Sequence, residues 1–307
     1  MIAWENCIFN SGVILLKPEM MTRLAKPMLF SAALIWGTSF FIMKNALDVM
    51  PVYYLLALRF TAGAVLLSLV CWKNWKNFTR DYLWRGAVMG GFLFLAYTVQ
   101  TYGLAQTTPS KNAFLTAVYC VMVPVLYWAV MKAKPDRYNI AAALLCVTGV
   151  GLVSLNGDLS VNFGDILTLI AAFFYAAHIV AVAKVSPGKD IYLLTVFQFA
   201  FAGLYAWIGG IGSEVFPVQA IMDPAVYLPL AYLCVLCTTV ALLFQNVGQV
   251  WSDPASASVI LSLESVFGVL FSVICYGDNV TLPMGLGFVC IFVAVVCSAT
   301  KFSFLHK

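Results

Sequence analysis

From residue 27 the chain alternates long apolar runs with short polar breaks. Ten runs of about twenty residues cover 27–46, 52–71, 82–104, 108–131, 137–155, 164–184, 190–210, 226–250, 254–276 and 282–301. About twenty apolar residues are what a helix needs to cross a hydrocarbon layer of roughly 30 Å. The runs are too long for barrel strands and do not alternate with period two. A helix also satisfies its own backbone in lipid, so the predicted elements are ten transmembrane helices. Residues 1–26 carry Glu5, Lys17, Glu19, Arg23 and Lys26 around the short patch Val13–Leu16. That order lacks the features of a secretory signal, so this segment is expected to lie outside the fold, with translation starting at Met20 or Met21.

Composition agrees with the pattern. Hydrophobic residues make up 63% of the 307 and charged residues 10%, where a soluble domain has about 25% charged. Mean hydropathy is +0.94. The net charge of +4 comes from basic residues in short loops, with no basic helix or aromatic strand motif, which argues against nucleic acid as a partner. Of the 17 Lys and Arg, fourteen fall in the segments before the first span, around 73–85, 132–137 and 184–189, and after the last span. Lys44 and Lys111 fall on the other side and Arg59 within a span. Positive residues mark the cytoplasmic side, so both termini are expected there.

The nine cysteines lie mostly in or beside apolar runs and read as small packing residues. Cys234 and Cys237 have C-x-x-C spacing but no second pair and no nearby His, so neither metal nor cofactor is expected. No G-x-x-x-x-G-K-[ST] phosphate loop occurs.

A weak repeat crosses the chain. AALIWGTSFF from Ala32 matches AAFFYAAHIV from Ala171 at a shift of 139 residues, and Gln100, Gly103 and Pro109 match Gln245, Gly248 and Pro254 at a shift of 145. Two five-helix halves are implied, 27–155 and 156–307. Five is odd, so the second half enters the membrane from the opposite side, an inverted repeat of the kind that builds secondary transporters around a midplane site.

The sequence resembles the drug/metabolite transporter superfamily in its ten-helix EamA-type branch. The resemblance rests on Trp36-Gly37-Thr38-Ser39-Phe40-Phe41, Pro51 with Leu58-Arg59-Phe60, the stretch Gly103 to Pro124, Gly164-Asp165, and Leu263-Glu264-Ser265-Val266-Phe267. It covers nearly all of 27–301. Where the family often has Pro after the ninth-span Glu, this chain has Ser265. The resemblance implies an all-α integral membrane protein of the bacterial inner membrane. Its expected activity is alternating-access transport of a small metabolite, an amino acid or similar, in the sense of export and with proton coupling. A monomer or homodimer is expected, with the lipid bilayer and a small molecule as partners.

The candidate site residues are Trp36, Ser39, Tyr97, Gln100, Tyr119, Tyr175, His178, Gln245 and Glu264. Glu264 lies about ten residues into its span, hence about 15 Å deep, where a carboxylate is costly and marks a substrate or proton site. Its alternative is a structural ion pair with Arg59, which enters from the other side to similar depth. His178 shares a face with Tyr175, as Ser39 does with Trp36; it reads either as a packing donor or as a proton carrier. The remaining polar groups either line a cavity or join helices. An intramembrane enzyme using Glu264 with His178 would need a matched catalytic set that the sequence does not show, and a non-transporting receptor would want longer polar loops. The charge distribution predicts that cysteines introduced between Lys73 and Arg85 react with impermeant thiol reagents only from the cytoplasmic side. Labelling them from the periplasmic side would overturn the orientation.

Overall fold

A computed structural model describes residues 18–132 and 162–300, with isolated positions between 134 and 152. Among the described residues there are helices and no strands. In chain order the long helices are α1 (Pro18–Ala46), α2 (Val52–Val70), α3 (Asp81–Gln106), α4 (Pro109–Met131), α5 (Phe163–Val185), α6 (Ile191–Ser213), α7 (Pro224–Val250), α8 (Pro254–Tyr276) and α9 (Leu282–Thr300). The first eight are long and apolar enough to cross a membrane, and α9 contains the apolar stretch Leu282–Ala294. The protein is therefore an all-helical membrane protein. The expected span over 137–155 lies for the most part outside the described residues. Helix α1 starts at Pro18, nine residues before the expected start, so residues 18–26 extend the helix; Pro27 lies inside it.

Local sequence explains the ends. Helices α4 and α8 both begin with Pro in the first turn, where its missing N–H costs nothing. Thr108 caps α4 by accepting from the Lys111 amide, and Asp253, its equivalent at a shift of 145, caps α8 by accepting from the Ser256 amide. Asp190 accepts from the amides of Tyr192 and Leu193 at the start of α6.

The two halves meet through helices that the repeat relates. Phe60 on α2 and Phe199 on α6 are 139 apart in sequence, and their rings lie 6.4 Å apart at the centre of the packing. Along this pair Tyr53 and Tyr54 approach Gly209 and Gly210, Thr61 approaches Gly203, and Gly63 approaches Phe199, so α2 and α6 run antiparallel. Equivalent helices that run in opposite directions are what an inverted repeat requires. The same relation recurs off centre. Gly103 of α3 packs on Gly164 and Thr168 of α5, and Gly248 of α7 packs on Ala25 and Leu29 of α1, each residue the repeat counterpart of the other.

At these crossings the absent side chain sets the helix separation. A Cβ on Gly103 would lie 2.9 Å from the Gly164 carbonyl oxygen, and one on Gly248 would lie 3.0 Å from that of Ala25. Gly212 has nothing within 4 Å. Gly103→Val and Gly248→Val are therefore each expected to cost about 1–3 kcal/mol through overpacking, while Gly212→Ala stays within about 0.5 kcal/mol of the parent. Thermal unfolding of the three variants in one detergent checks this, and equal stability of all three would contradict the packing described.

Candidate functional site

Both α4 and α8 break at mid-depth, at equivalent positions. Helix α4 consists of Pro109–Thr116 and Tyr119–Met131, joined by a turn at Ala117 and Val118; α8 consists of Pro254–Ser262 and Glu264–Phe271, joined at Leu263, and continues as a π-helix, Ser272–Tyr276. In α4 the chain tightens to three-residue bonds at the break, the Val118 amide donating to the Leu115 carbonyl at 3.3 Å and the Cys120 amide to that of Ala117 at 3.1 Å, and Pro124 follows within the second segment. In α8 serine hydroxyls accompany the break. Ser262 donates to the Val259 carbonyl at 2.7 Å and Ser265 to the Ser262 carbonyl at 2.7 Å, taking up acceptors that the backbone ladder would otherwise use. The first residues after the breaks are Tyr119 and Glu264, 145 apart, and their side chains face each other.

Around these two residues lies a cavity of about 40 Å³, room for about three waters at the 10–15 Å³ each requires. Trp36, Ser39, Tyr97, Gln100, Tyr119, Tyr175, Gln245 and Glu264, eight of the nine residues singled out above, line it. Three repeat-related pairs are among them: Trp36 with Tyr175, Gln100 with Gln245, and Tyr119 with Glu264. Tyr175 donates to Gln100 Oε1 at 2.6 Å, and Gln100 Nε2 donates to Thr116 at 2.9 Å. The Trp36 indole donates to the Cys237 carbonyl at 2.8 Å, and the Ser39 hydroxyl returns to the Trp36 carbonyl.

Two expectations need correction. His178 is fully buried but does not line the cavity. Ser39, at the same three-residue offset from Trp36, does line the cavity, so the two halves differ in side-chain placement at this equivalent position. The ion pair between Arg59 and Glu264 does not form. Both line the cavity, but no Lys or Arg nitrogen lies within 4.0 Å of Glu264 among the described residues. Arg59 instead donates to Thr238 Oγ1 at 3.0 Å and to Met43 Sδ at 3.4 Å, and its guanidinium lies 5.2 Å from the centre of the Tyr97 ring.

Thr238 belongs to a feature the sequence analysis missed, a π-helical stretch in α7 over Leu233–Val240. Thr238 and Thr239 donate to the carbonyls five residues back, Leu233 and Cys234. The wider turn gives the Cys237 carbonyl to Trp36 and the Thr238 hydroxyl to Arg59. Extending the Trp36 and Tyr97 faces by one turn finds Phe40, Met43, Thr101 and Leu104, which also line the cavity. Nothing in LCVLCTTV announces the π turn.

The EamA-like transporter model matches twice, over residues 24–155 and 162–300. The chain belongs to the EamA-like transporter family. Its family relatives include an uncharacterized transporter of Archaeoglobus fulgidus, 34% identical over 265 residues, 86% of this chain and 82% of the relative. A second uncharacterized transporter of the same organism is 24% identical over 87% of this chain and 94% of its own length. A solved crystal structure shares the fold with a TM-score of 0.70 at 16% identity, covering 93% of this chain and 99% of the other. The two family matches divide the chain between the two breaks, so each EamA-like unit carries one interrupted helix.

The Arg59 geometry predicts the outcome of two substitutions. Thr238→Val removes a hydrogen bond to a buried charge and should cost about 1.5–3 kcal/mol, whereas Thr239→Val, whose hydroxyl bonds only its own helix, should cost less. The exchange Arg59→Glu with Glu264→Arg should not restore stability, because no direct pair exists to be re-formed. Recovery of the parental melting temperature in that double variant would refute the arrangement.

Proposed function

We propose that this EamA-like transporter is a secondary active exporter of a small metabolite bearing both an ammonium and a carboxylate, an amino acid or a close relative, moved by alternating access of the two repeats. The observation that carries the reading is the cavity between the repeats, where Arg59 and Glu264 stand unpaired with one another. An unpaired guanidinium offers two parallel donors to a carboxylate. A carboxylate beside Trp36, Tyr97 and Tyr175 offers an ammonium a charge partner and aromatic faces. In this arrangement the substrate supplies the counter-charges that the protein withholds, so its charges favour capture in the closed form.

The cavity holds only a few waters, so loading requires one side to open. The α4 and α8 breaks beside Tyr119 and Glu264 supply flexible points where the halves can part. We assign Glu264 as the proton-coupling group, since it is the carboxylate of the cavity, and place both termini in the cytoplasm on the distribution of Lys and Arg. The enzyme alternative loses support because His178 and Glu264 do not share the cavity, and the relatives above are named transporters.

The test is transport by purified protein in liposomes with an imposed pH gradient, using radiolabelled amino acids with and without a free carboxylate. Glu264→Gln should abolish gradient-driven transport while leaving exchange at equal pH on both sides, and Arg59→Met should abolish discrimination in favour of the carboxylate. Unchanged gradient-driven transport in Glu264→Gln would overturn the coupling assignment; transport blind to the carboxylate in the parent would overturn the substrate class.

A further inference from the structure

Away from the cavity, the connection between α2 and α3 reads Trp72-Lys73-Asn74-Trp75-Lys76-Asn77 and folds as a 3₁₀-helix. Such a helix has three residues per turn, so residues three apart stack above one another. A repeat of three on this helix separates into three ridges, one of tryptophan, one of lysine and one of asparagine.

The asparagine ridge is occupied. Asn74 is fully buried and donates to Asp190 Oδ2 at 2.6 Å, and Asn77 donates to the same atom at 3.4 Å. Asp190 Oδ1 accepts the amides of Tyr192 and Leu193. Both oxygens of this carboxylate are thus committed, and it is not a counter-ion for the lysines. Asp81 is engaged by Lys189 at 3.1 Å.

The other two ridges face outward. Trp72 is 65% exposed and Trp75 42%. Lys73, Lys76 and Arg80 are exposed, with no carboxylate within 4.0 Å among the described residues. The last turn of α2 ends in exposed Leu69 and Val70, so the element sits where an apolar span stops. Tryptophan favours that boundary, and lysine favours the phosphate layer beyond it.

We propose that the Trp72–Asn77 element docks an anionic phospholipid, with the Trp72 ring at the acyl boundary and Lys73, Lys76 and Arg80 around the headgroup phosphate. Through the asparagine ridge the lipid would brace the start of α6 against the end of α2, the helix pair on which the two repeats meet. Charge complementarity selects this occupant: three cations lack acidic partners beside an exposed aromatic ring at the end of a span.

The experiment uses the full chain in nanodiscs of phosphatidylcholine alone or with phosphatidylglycerol, reading the rise in melting temperature as phosphatidylglycerol is titrated. Each basic residue near an anionic surface contributes roughly fivefold in affinity, so Lys73→Gln with Lys76→Gln should weaken the response roughly 25-fold without changing the melting temperature in phosphatidylcholine. Lys73→Arg with Lys76→Arg should keep it, as should Lys132→Gln with Lys134→Gln, which removes the same charge elsewhere. A parental response in the Lys73→Gln, Lys76→Gln variant would overturn the proposal, and so would an equal loss in the Lys132→Gln, Lys134→Gln control.

Discussion

The antiparallel contact of α2 with α6 is the constraint on which the rest of the structure depends. These are repeat-equivalent helices running in opposite directions, so the middle of each meets its own counterpart and the start of each meets the end of the other. Phe60 against Phe199 is the central instance. On either side the glycines of one helix lie under the aromatic or hydroxyl groups of the other. In a bilayer the apolar surfaces gain nothing by leaving lipid for one another, so close backbone approach and dispersion hold such a pair. Polar caps finish its two ends. Glu214 accepts from the Tyr53 and Tyr54 amides and from the Tyr102 hydroxyl at one, and Asp190 gathers Asn74 and Asn77 at the other.

With that pair fixed, α3 is drawn against α5 and α7 against α1, and the interrupted helices α4 and α8 bring Tyr119 and Glu264 to the space between. The loops are anchored by the same economy of charge. Lys44 donates to the carbonyls of Leu104, Ala105 and Thr107, the acceptors left open at the end of α3. Arg85 does the same at the end of α5, for Val185 and Pro187. Asp165 takes Thr107 and Lys111, and Asp278 takes both the amide and the hydroxyl of Ser110. Few charges exist in this chain, and those described here are used to close helix ends.

Much of this was legible in the sequence because it depends on length, period and small residues. Apolar runs gave the helices, and the shift of 139 gave Trp36 and Tyr175 their common setting. Proline after Thr108 and after Asp253 marked two equivalent helix starts. What was not legible depends on hydrogen-bond choices that no residue type dictates alone. Serine at 262 and 265 is compatible with an unbroken helix, and only the orientation of its hydroxyls reveals the break. Thr238 sits in a run that reads as ordinary apolar helix, yet the π turn aims it at Arg59. His178 went wrong for a geometric reason. His178 is the counterpart of Ser39 at a shift of 139 and has the same spacing from the aromatic residue before it, but only Ser39 lines the cavity: a small hydroxyl fits at the wall where the ring is buried instead.

The two breaks differ in chemistry, and that difference sets what each half can do. After the α4 break, Pro124 lacks the N–H that would bond the Cys120 carbonyl, so no rearrangement can complete the ladder of that second segment. Ser265 keeps its amide, and a rotation of its side chain would return the Ser262 carbonyl to the backbone. One repeat therefore carries, next to its break, a missing bond written into its covalent structure, and the other carries a break held by a rotatable hydroxyl. Symmetry of shape thus conceals an inequality of compliance: a turned hydroxyl completes the ladder beside Glu264, and nothing can complete the one just after Tyr119.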